Sequence, residues 1–318
     1  MQKLIFSNIT GSYVFSSAGE VIDSIGFKDS EEFLKKEDSE KRLLQKHPDA
    51  KKPGEKELPM VVAFFKKPTY FPQFSKINLQ LSKQAIRDSV SRDSLLIQTS
   101  STIEELDKAI NLLTKRLREW YGMYNPETEY HLGDHQRFVN TILMKPKAAL
   151  LKEFNISDKE AMGADFAKKD LDATMQLAQQ IQKLFSLREE NEAYLALLEK
   201  EICPNLCYIA GSAIAAKLIV HAGSLKRLAQ MPASTLQVLG AEKALFRHLR
   251  NKGKNLPPKY GLLHEHPLIA KVQRKDHGKA ARSLADRLSM AARLDFYKGE
   301  FKGEEYKKEL VDKFKVQF

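Results

Sequence analysis

Two long segments with heptad spacing constrain the fold more than any other feature of this sequence. Apolar and aromatic residues from position 103 to 124 are separated by alternating steps of three and four, the spacing of a coiled-coil seam. Residues 177–198 repeat these steps, with Arg188 and Asn191 as polar members of the seam. We predict an antiparallel helical hairpin whose tip, residues 127–167, contains short helices. The polar members either fix register and partner choice or belong to an ordinary bundle helix.

The segments on either side of this hairpin have different characters. Before it, residues 12–16 and 20–25 predict a β-hairpin, Ser30 is a candidate helix N-cap, residues 46–59 predict a loop, and residues 60–65 predict a buried strand. After position 204 the chain becomes rich in alanine, glycine and leucine, which predicts closely packed helices. We therefore expect a mainly α protein with a small α/β domain (1–78), a helical coiled-coil domain (79–203), a compact all-α domain (204–300) and a helical tail (301–318).

The positive charge of the chain is concentrated in one region. The net charge is +11, and residues 211–299 carry 17 basic and 5 acidic side chains, so the rest of the chain sums to −1. A basic excess confined to one domain points to a polyanionic partner, most often nucleic acid, although a solvated basic surface is the alternative.

Apolar runs and cysteines exclude several classes of protein. No apolar run exceeds six residues, and no hydrophobic signal segment is evident, so we expect neither a membrane nor a secreted protein. Cys203 and Cys207 are too few for a disulfide framework or a structural zinc site and are expected to be buried apolar groups in a reducing compartment.

Enzymatic signatures are missing from the sequence. It contains no phosphate-binding loop, dinucleotide or S-adenosylmethionine glycine motif, nucleophile elbow or zinc-protease helix. His264, Glu265 and His266 form a short metal-like run, but Pro267 follows and no third ligand has a defined spacing. We therefore expect a loop near the basic surface.

The most informative block is residues 229–250. Ser234 is expected to cap a short helix that ends at Gly240, and a second helix is expected to start near Ala241. Lys243, Arg247 and Arg250 would share one face of that second helix, while Leu245 and Leu249 would point into the core. Such a basic stripe beside a helix N-terminus suits phosphate and 2′-hydroxyl groups of RNA. Taken alone, it could also be a solvated face.

Residues 232–247, PASTLQVLGAEKALFR, resemble the signature of the Nop domain. More closely, they resemble the archaeal form of the Nop-domain core protein of box C/D small RNA 2′-O-methylation particles. Other matching segments are residues 117–121, 163–165, 257–261 and 291–295, so the resemblance covers roughly residues 76–299. The chain departs from the family pattern at His264 and Glu265 and at residues 273–277.

The resemblance implies a scaffold and not a catalyst. In this family the N-terminal domain docks fibrillarin, which carries S-adenosylmethionine, the coiled coil forms a homodimer, and the Nop domain binds guide RNA together with a kink-turn-binding, ribosomal-protein-like protein. No cofactor, metal or catalytic residue is expected on this chain, and an archaeal cytoplasm is the expected location. The RNA-binding residues carried over are Gln237, Gly240, Ala241, Glu242, Lys243, Arg247 and Arg250. The dimerisation residues are Ile103, Leu106, Ile110, Leu113, Leu117, Leu177, Ile181, Leu184 and Leu195.

Three other functions compete with this interpretation. A splicing-type Nop protein would bind a spliceosomal RNA–protein element without a methyltransferase partner, and the Gly-Ala-Glu-Lys sequence at residues 240–243 argues against it. A stand-alone RNA-modifying enzyme lacks support because the cofactor motifs are missing. A coiled-coil structural protein without RNA does not explain the charge of residues 211–299.

Overall fold

The computed structural model describes residues 3–157, 159–251 and 254–318. The chain divides into two compact units, Met1–Ser91 and Arg92–Phe318. The first is an α/β unit and the second is helical, so the predicted fold class is confirmed.

The N-terminal unit is built on a four-stranded sheet in the order β3-β2-β1-β4. Strands β1 and β2 pair antiparallel, as do β2 and β3, whereas β4 pairs parallel to β1. The predicted hairpin at residues 12–25 is therefore confirmed, and its turn contains Gly19 at φ +82°. The strands are β1 Lys3–Asn8, β2 Gly11–Phe15, β3 Val21–Gly26 and β4 Ala50–Lys51.

Four helices accompany this sheet, and one of them corrects a prediction. Residues 60–65, predicted as a buried strand, belong to a helix. Pro59 occupies its first turn, where proline is favoured, and Val61 is fully buried. Phe64 and Phe65 pack against Phe15 of the sheet, with ring centroids 5.3 and 5.9 Å away. The helices are α1 Ser30–Leu34, α2 Lys36–Lys46, α3 Leu58–Phe65 and α4 Phe71–Asp88.

Two boundaries in the N-terminal unit also differ from prediction. Asp29, not Ser30, caps α1, because its carboxylate accepts hydrogen bonds from the backbone N–H groups of Glu31 and Glu32, both at 3.0 Å. The predicted loop at 46–59 contains the short strand β4 and the start of α3.

The second unit contains two long helices and a set of shorter ones. The long helices are α5 Arg92–Tyr124 and α9 Lys168–Ile202. Between them lie α6 Pro126–His131, α7 His135–Met144 and α8 Lys147–Glu153. After α9 follow α10 Pro204–Ala210, α11 Ser212–Ala222, α12 Leu225–Gln230, α13 Ala233–Val238, α14 Glu242–Arg250, α15 Pro267–Lys271, α16 His277–Phe296 and α17 Gly303–Phe314.

Helices α5 and α9 form the predicted antiparallel hairpin. Arg92 near the start of α5 pairs with Glu201 at the end of α9, and Asp107 farther along α5 accepts from Arg188 Nε at 2.5 Å. The ion pair between Asp107 and Arg188 joins the two helices, so this polar seam residue fixes a register within the chain. Helix α9 packs on α7 as well as on α5, and its buried Ala178 and Ile181 share a core with Phe138 and Val139 of α7.

Arg118 holds the tip of the hairpin together. Its side chain is 10% exposed, and its guanidinium donates to the backbone carbonyls of Glu129 (3.0 Å), Leu132 and Gly133 (2.9 Å). The guanidinium also lies 4.5 Å from the ring centre of Phe138. Arg118 on α5 therefore anchors two helices of the tip: it donates to carbonyls at the C-terminal end of α6, and it contacts Phe138 of α7.

The helices after α9, apart from α14, form one core around α16. Its alanines are buried, which lets neighbouring helices approach closely, and α17 contributes Tyr306 and Leu310 to the same core. Asp295 near the end of α16 accepts from the backbone N–H groups of Asn205 (3.1 Å) and Leu206 (2.9 Å), so it caps α10.

The junction between α9 and α10 contains buried ionisable groups. Cys203 is fully buried and its sulfur lies 3.5 Å from that of Cys207, which is half-buried. Burial raises the pKa of the neighbouring Glu199 carboxyl above its ordinary value, while hydrogen bonds from Ser212 and Cys207 act in the opposite direction. These side chains lie in the interior of the unit.

No single helix within the described ranges is long and apolar enough to cross a membrane; the bent pair Pro204–Ala210 and Ser212–Ala222 meets that criterion only when taken together.

Candidate RNA interface

The predicted RNA-binding block forms two short helices joined by a sharp turn. Helix α13 is anchored by the fully buried Leu236, and the chain then turns at Gly240, whose φ of +84° favours glycine. The backbone N–H of Ala241 donates to Val238 O at 2.9 Å, and α14 begins at Glu242. The predicted pair of short helices with a turn at Gly240 is confirmed, but the predicted cap is wrong: Ser234 lies inside α13, and the N-cap is Pro232, which makes no side-chain capping hydrogen bond.

A second segment, residues 259–262, clamps this turn through backbone hydrogen bonds. Gly261 N donates to Gln237 O at 2.9 Å, and Leu262 N donates to Leu239 O at 2.8 Å. The approach is so close that a Cβ on Gly261 would lie 1.9 Å from Leu239 O. A Cβ on Gly240 would lie 2.7 Å from Leu262 Cγ. Both glycines are therefore required by packing, and they hold the turn in one conformation.

Two predicted RNA-binding side chains are engaged in the turn itself. Gln237 Nε2 donates to Lys259 O at 2.6 Å, and Glu242 Oε1 accepts from Gly240 N at 2.6 Å. Partial burial opposes ionisation of Glu242, but the backbone N–H groups of Gly240 and Glu242 and the nearby His221 lower its pKa below the ordinary value. Direct contact of Gln237 and Glu242 with RNA stays a prediction.

The three predicted cations share an accessible face of α14. Lys243, Arg247 and Arg250 are all exposed, and none of them makes an ion pair or side-chain hydrogen bond within the part of the chain that the structure describes. Their spacing of four and three residues spans about 10 Å along the helix. The structure thus brings together the basic stripe and the clamped turn, which leaves three cations available for phosphate groups.

The expected core contact of α14 is wrong for Leu249. That side chain is 51% exposed, and Leu245 is only half-buried. Helix α14 buries none of its described residues completely. Phe246, which the sequence analysis did not single out, is 66% exposed beside the cations. An aromatic interleaved with basic residues is the signal that could have identified it, since exposed rings stack on unpaired bases.

The run at residues 264–266 serves the fold of this region. His266 is buried, its Nε2 lies 2.9 Å from Ile209 O, and its Nδ1 accepts from Leu268 N at 3.1 Å. Glu265 pairs with Lys217 at 2.7 Å, and His264 stacks on Tyr260. Within the described residues, no group of three or more His, Cys, Asp or Glu side chains is placed to hold a metal ion.

The predicted dimerisation residues all lie on α5 or α9, and they differ in burial. Buried within this chain are Ile110, Leu117, Ile181 and Leu195. Half-buried are Ile103, Leu106, Leu113, Leu177 and Leu184. The first group packs inside the chain, so a second copy could contact only the second group and the exposed side chains around it. Dimerisation stays a prediction.

Comparisons with known proteins place these features in a family. The family model described as "Nop: snoRNA binding domain, fibrillarin" matches residues 102–316. An uncharacterized NOP5 family protein of Methanocaldococcus jannaschii is 39% identical over 241 residues, which are 71% of this chain and 58% of that protein. Nucleolar protein 58 of Schizosaccharomyces pombe is 37% identical over 230 residues, 68% of this chain and 45% of that protein.

A further curated relative and one solved structure also match. Nucleolar protein 56 of Saccharomyces cerevisiae is 35% identical over 239 residues, covering 69% of this chain and 47% of that protein. This chain thus spans about half the length of the curated relatives it matches. A chain in a crystal structure of a fibrillarin/Nop5p complex is 21% identical, with a TM-score of 0.45, and the match covers 98% of this chain and 99% of that chain. Because the family model matches more than half of the chain, including the two seam helices and the clamped turn, the chain belongs to the Nop-domain family that includes the NOP5, Nop56 and Nop58 proteins.

Proposed function

We propose that this chain is the non-catalytic scaffold of a box C/D guide-RNA-directed 2′-O-methylation complex. It bridges the fibrillarin methyltransferase to the guide RNA and its kink-turn-binding protein. The observation that carries the proposal is the α14 face, where three unpaired cations stand beside a rigid turn inside the segment that matches a snoRNA binding domain. Phosphate contacts of this kind supply affinity and position the protein on RNA.

The hairpin of α5 and α9 suits the bridging role. Helix α5 contains 33 residues and α9 contains 35, so each extends for about 50 Å. Interhelical ion pairs at Arg92 and Arg188 and the Arg118 network keep this element stiff. In a dimer joined through this hairpin, the stiff element would fix the spacing of the two copies and therefore of the partners that each copy carries, so geometry would select the nucleotide that is modified.

The N-terminal unit is the proposed docking site for fibrillarin. Large apolar side chains along one side of α4 are exposed, including Phe71 (69%) and Leu79 (55%). Exposed apolar clusters of this kind are typical of protein interfaces. S-adenosylmethionine would then be bound by fibrillarin and not by this chain. Because the relative with 39% identity is archaeal, we place the complex in the cytoplasm of an archaeal cell.

Homodimerisation through the α5–α9 hairpin is also part of the proposal. Leu112 on α5 and Leu197 on α9 are 71% and 68% exposed, so apolar surface remains on this hairpin outside the intrachain seam. Light scattering of the full chain should give twice the mass of one chain. A monomer over the micromolar range would reject the dimer while leaving the RNA face untouched.

The RNA face is tested by the salt dependence of assembly. Lys243→Ala, Arg247→Ala and Arg250→Ala are combined, and binding of a synthetic box C/D guide RNA with the kink-turn-binding protein is measured by filter binding at several salt concentrations. Each phosphate contact contributes about 0.7 to the slope on single-stranded RNA, so the slope should fall by about two units. Lys200→Ala, Lys302→Ala and Lys308→Ala, three exposed lysines, form the charge-matched control.

An unchanged slope in the α14 variant would reject the RNA face. A pull-down with fibrillarin separates this proposal from a splicing-type Nop protein, which would bind its RNA–protein element and leave fibrillarin in the supernatant.

A further inference from the structure

A basic cleft lies between α15, α16 and α17. We call it the α16–α17 cleft. It has a volume of about 490 Å³, and its charged lining consists of Asp276 and four lysines: Lys271, Lys275, Lys279 and Lys313. The lysines come from three separate elements, so the fold and not a single charge run collects them.

A second hollow of about 340 Å³ extends this cleft along α16. The two share Lys313, and the second adds Arg282, Asp286, Ala233 and the ion pair between Arg287 and Glu309 to the lining. Lys279 and Arg282 are three residues apart on α16, and Lys275 lies in the turn just before that helix. The cations therefore form a track along one side of α16 that is about 10 Å long.

Cations outnumber carboxylates along this track, whose acidic lining residues are Asp276, Asp286 and Glu309. Lys275, Lys279 and Arg282 are exposed and make neither an ion pair nor a side-chain hydrogen bond with any described residue. By contrast, Lys271 donates to Gln317 O at 2.9 Å and Lys313 donates to Ser283 Oγ at 2.8 Å. Three unpaired positive charges in a concave surface create a local potential that attracts a polyanion.

The cleft is connected to the candidate RNA interface. Ala233, which lines the second hollow, is the first residue of α13, and α13 leads directly to the Gly240 turn. On the other side, the Tyr260 hydroxyl lies 3.2 Å from His277 Nδ1, which joins the clamping segment 259–262 to the start of α16. The two basic surfaces therefore belong to one connected part of the fold.

We propose that the α16–α17 cleft is a second RNA-binding surface, which holds backbone phosphates of the same RNA that contacts α14. This inference rests on the proposed function. The lining favours RNA over an acidic protein, because lysine is depleted in protein–protein interfaces, whereas nucleic-acid interfaces are polar and strongly positive. The uncharged lining side chains, such as Ser283 and Gln273, can donate to phosphate or sugar oxygens.

The test combines Lys275→Ala, Lys279→Ala and Arg282→Ala in the full chain. A synthetic box C/D guide RNA with the kink-turn-binding protein is the probe, and the Lys200, Lys302 and Lys308 alanine variant described above is the charge-matched control. We expect the salt slope to fall by about two units relative to the control. When the salt concentration rises from 50 to 200 mM, the fold-loss of affinity should then be about twenty times larger for the wild type than for the cleft variant. Far-UV circular dichroism should be unchanged, because all three side chains are exposed and alanine favours helix.

The outcomes separate this inference from the proposed function. If the cleft variant matches the control while the α14 variant loses slope, the second surface is rejected and the proposed function stands. If neither variant differs from the control, both are rejected. Loss of the kink-turn-binding protein with an unchanged RNA slope would assign the cleft to a protein partner and overturn the inference.

Discussion

Replacing Gly261 by alanine should disrupt the candidate RNA interface without removing any charge. Gly261 has a φ of −108°, which lies outside the left-handed region. The obstacle is steric, because the new Cβ would lie 1.9 Å from Leu239 O and 2.8 Å from Val238 O. These are backbone atoms, so the clash cannot be relieved by rotating a side chain.

The cost follows from the contacts that must separate. Moving the 259–262 segment away from the turn breaks the hydrogen bonds from Gly261 N to Gln237 O and from Leu262 N to Leu239 O. Each contributes about 0.5–1.5 kcal/mol net, and displacing the buried Leu263 beside them adds a packing penalty. We expect the free energy of unfolding to fall by about 2–4 kcal/mol, with weaker RNA assembly even where the chain remains folded.

Urea denaturation followed by circular dichroism measures the stability, and filter binding measures the assembly. Gly133→Ala is the matched control, because a Cβ there meets no atom within 4 Å, and it should change stability by less than about 0.5 kcal/mol. A Gly261→Ala protein as stable as this control, with normal RNA assembly, would refute the clamped turn.

Three further predictions concern the helical unit. Glu199→Gln should stabilise the protein at pH 7 but not at pH 4, because burial raises the pKa of this carboxyl in the folded state. The stability that the protonated Glu199 contributes is fully present below its unfolded pKa and is lost as the pH rises through its folded pKa. Equal gains at both pH values in urea melts would contradict this. Arg118→Met should lower the free energy of unfolding by about 3 kcal/mol, because it leaves the carbonyls at the end of α6 without their donor. Arg116→Met, which removes only an exposed ion pair, should lower it by less than about 1 kcal/mol. Equal losses of stability in denaturant would reject the tip network. Asp295→Ala should cost about 2 kcal/mol through loss of the α10 cap, and Asp295→Asn should cost less because it keeps an acceptor; a neutral alanine variant in thermal melts would count against the cap.

The parts of the fold that could be predicted from sequence are those with long periodic patterns. The seam of α5 and α9 has a regular spacing over many residues, and Asn125 followed by Pro126 marks the end of α5. The run 60–65 is apolar on all sides, so its periodicity cannot separate a buried strand from a helix lying on a sheet. What decides between them is packing of Phe64 and Phe65 on Phe15, a contact between residues far apart in sequence.

The candidate site shows the same division. The basic face of α14 could be predicted from the spacing of Lys243, Arg247 and Arg250, and the turn from the glycine at position 240. The exposure of Leu249 does not, because an amphipathic pattern gives no sign of whether a neighbour covers the apolar side. The close contact of Gly261 with Leu239 and the α16–α17 cleft are equally invisible in sequence, since Lys313 joins Lys271 and Lys279 only after the chain has folded.

The scaffold role is tested most directly by omission in a reconstituted reaction. The chain is combined with fibrillarin, the kink-turn-binding protein, a box C/D guide RNA and labelled S-adenosylmethionine, and methyl transfer to the target nucleotide is scored with each component left out in turn. We expect transfer to require every component and to disappear when this chain is absent. Full transfer without the chain, or transfer by this chain in the absence of fibrillarin, would contradict a non-catalytic bridge.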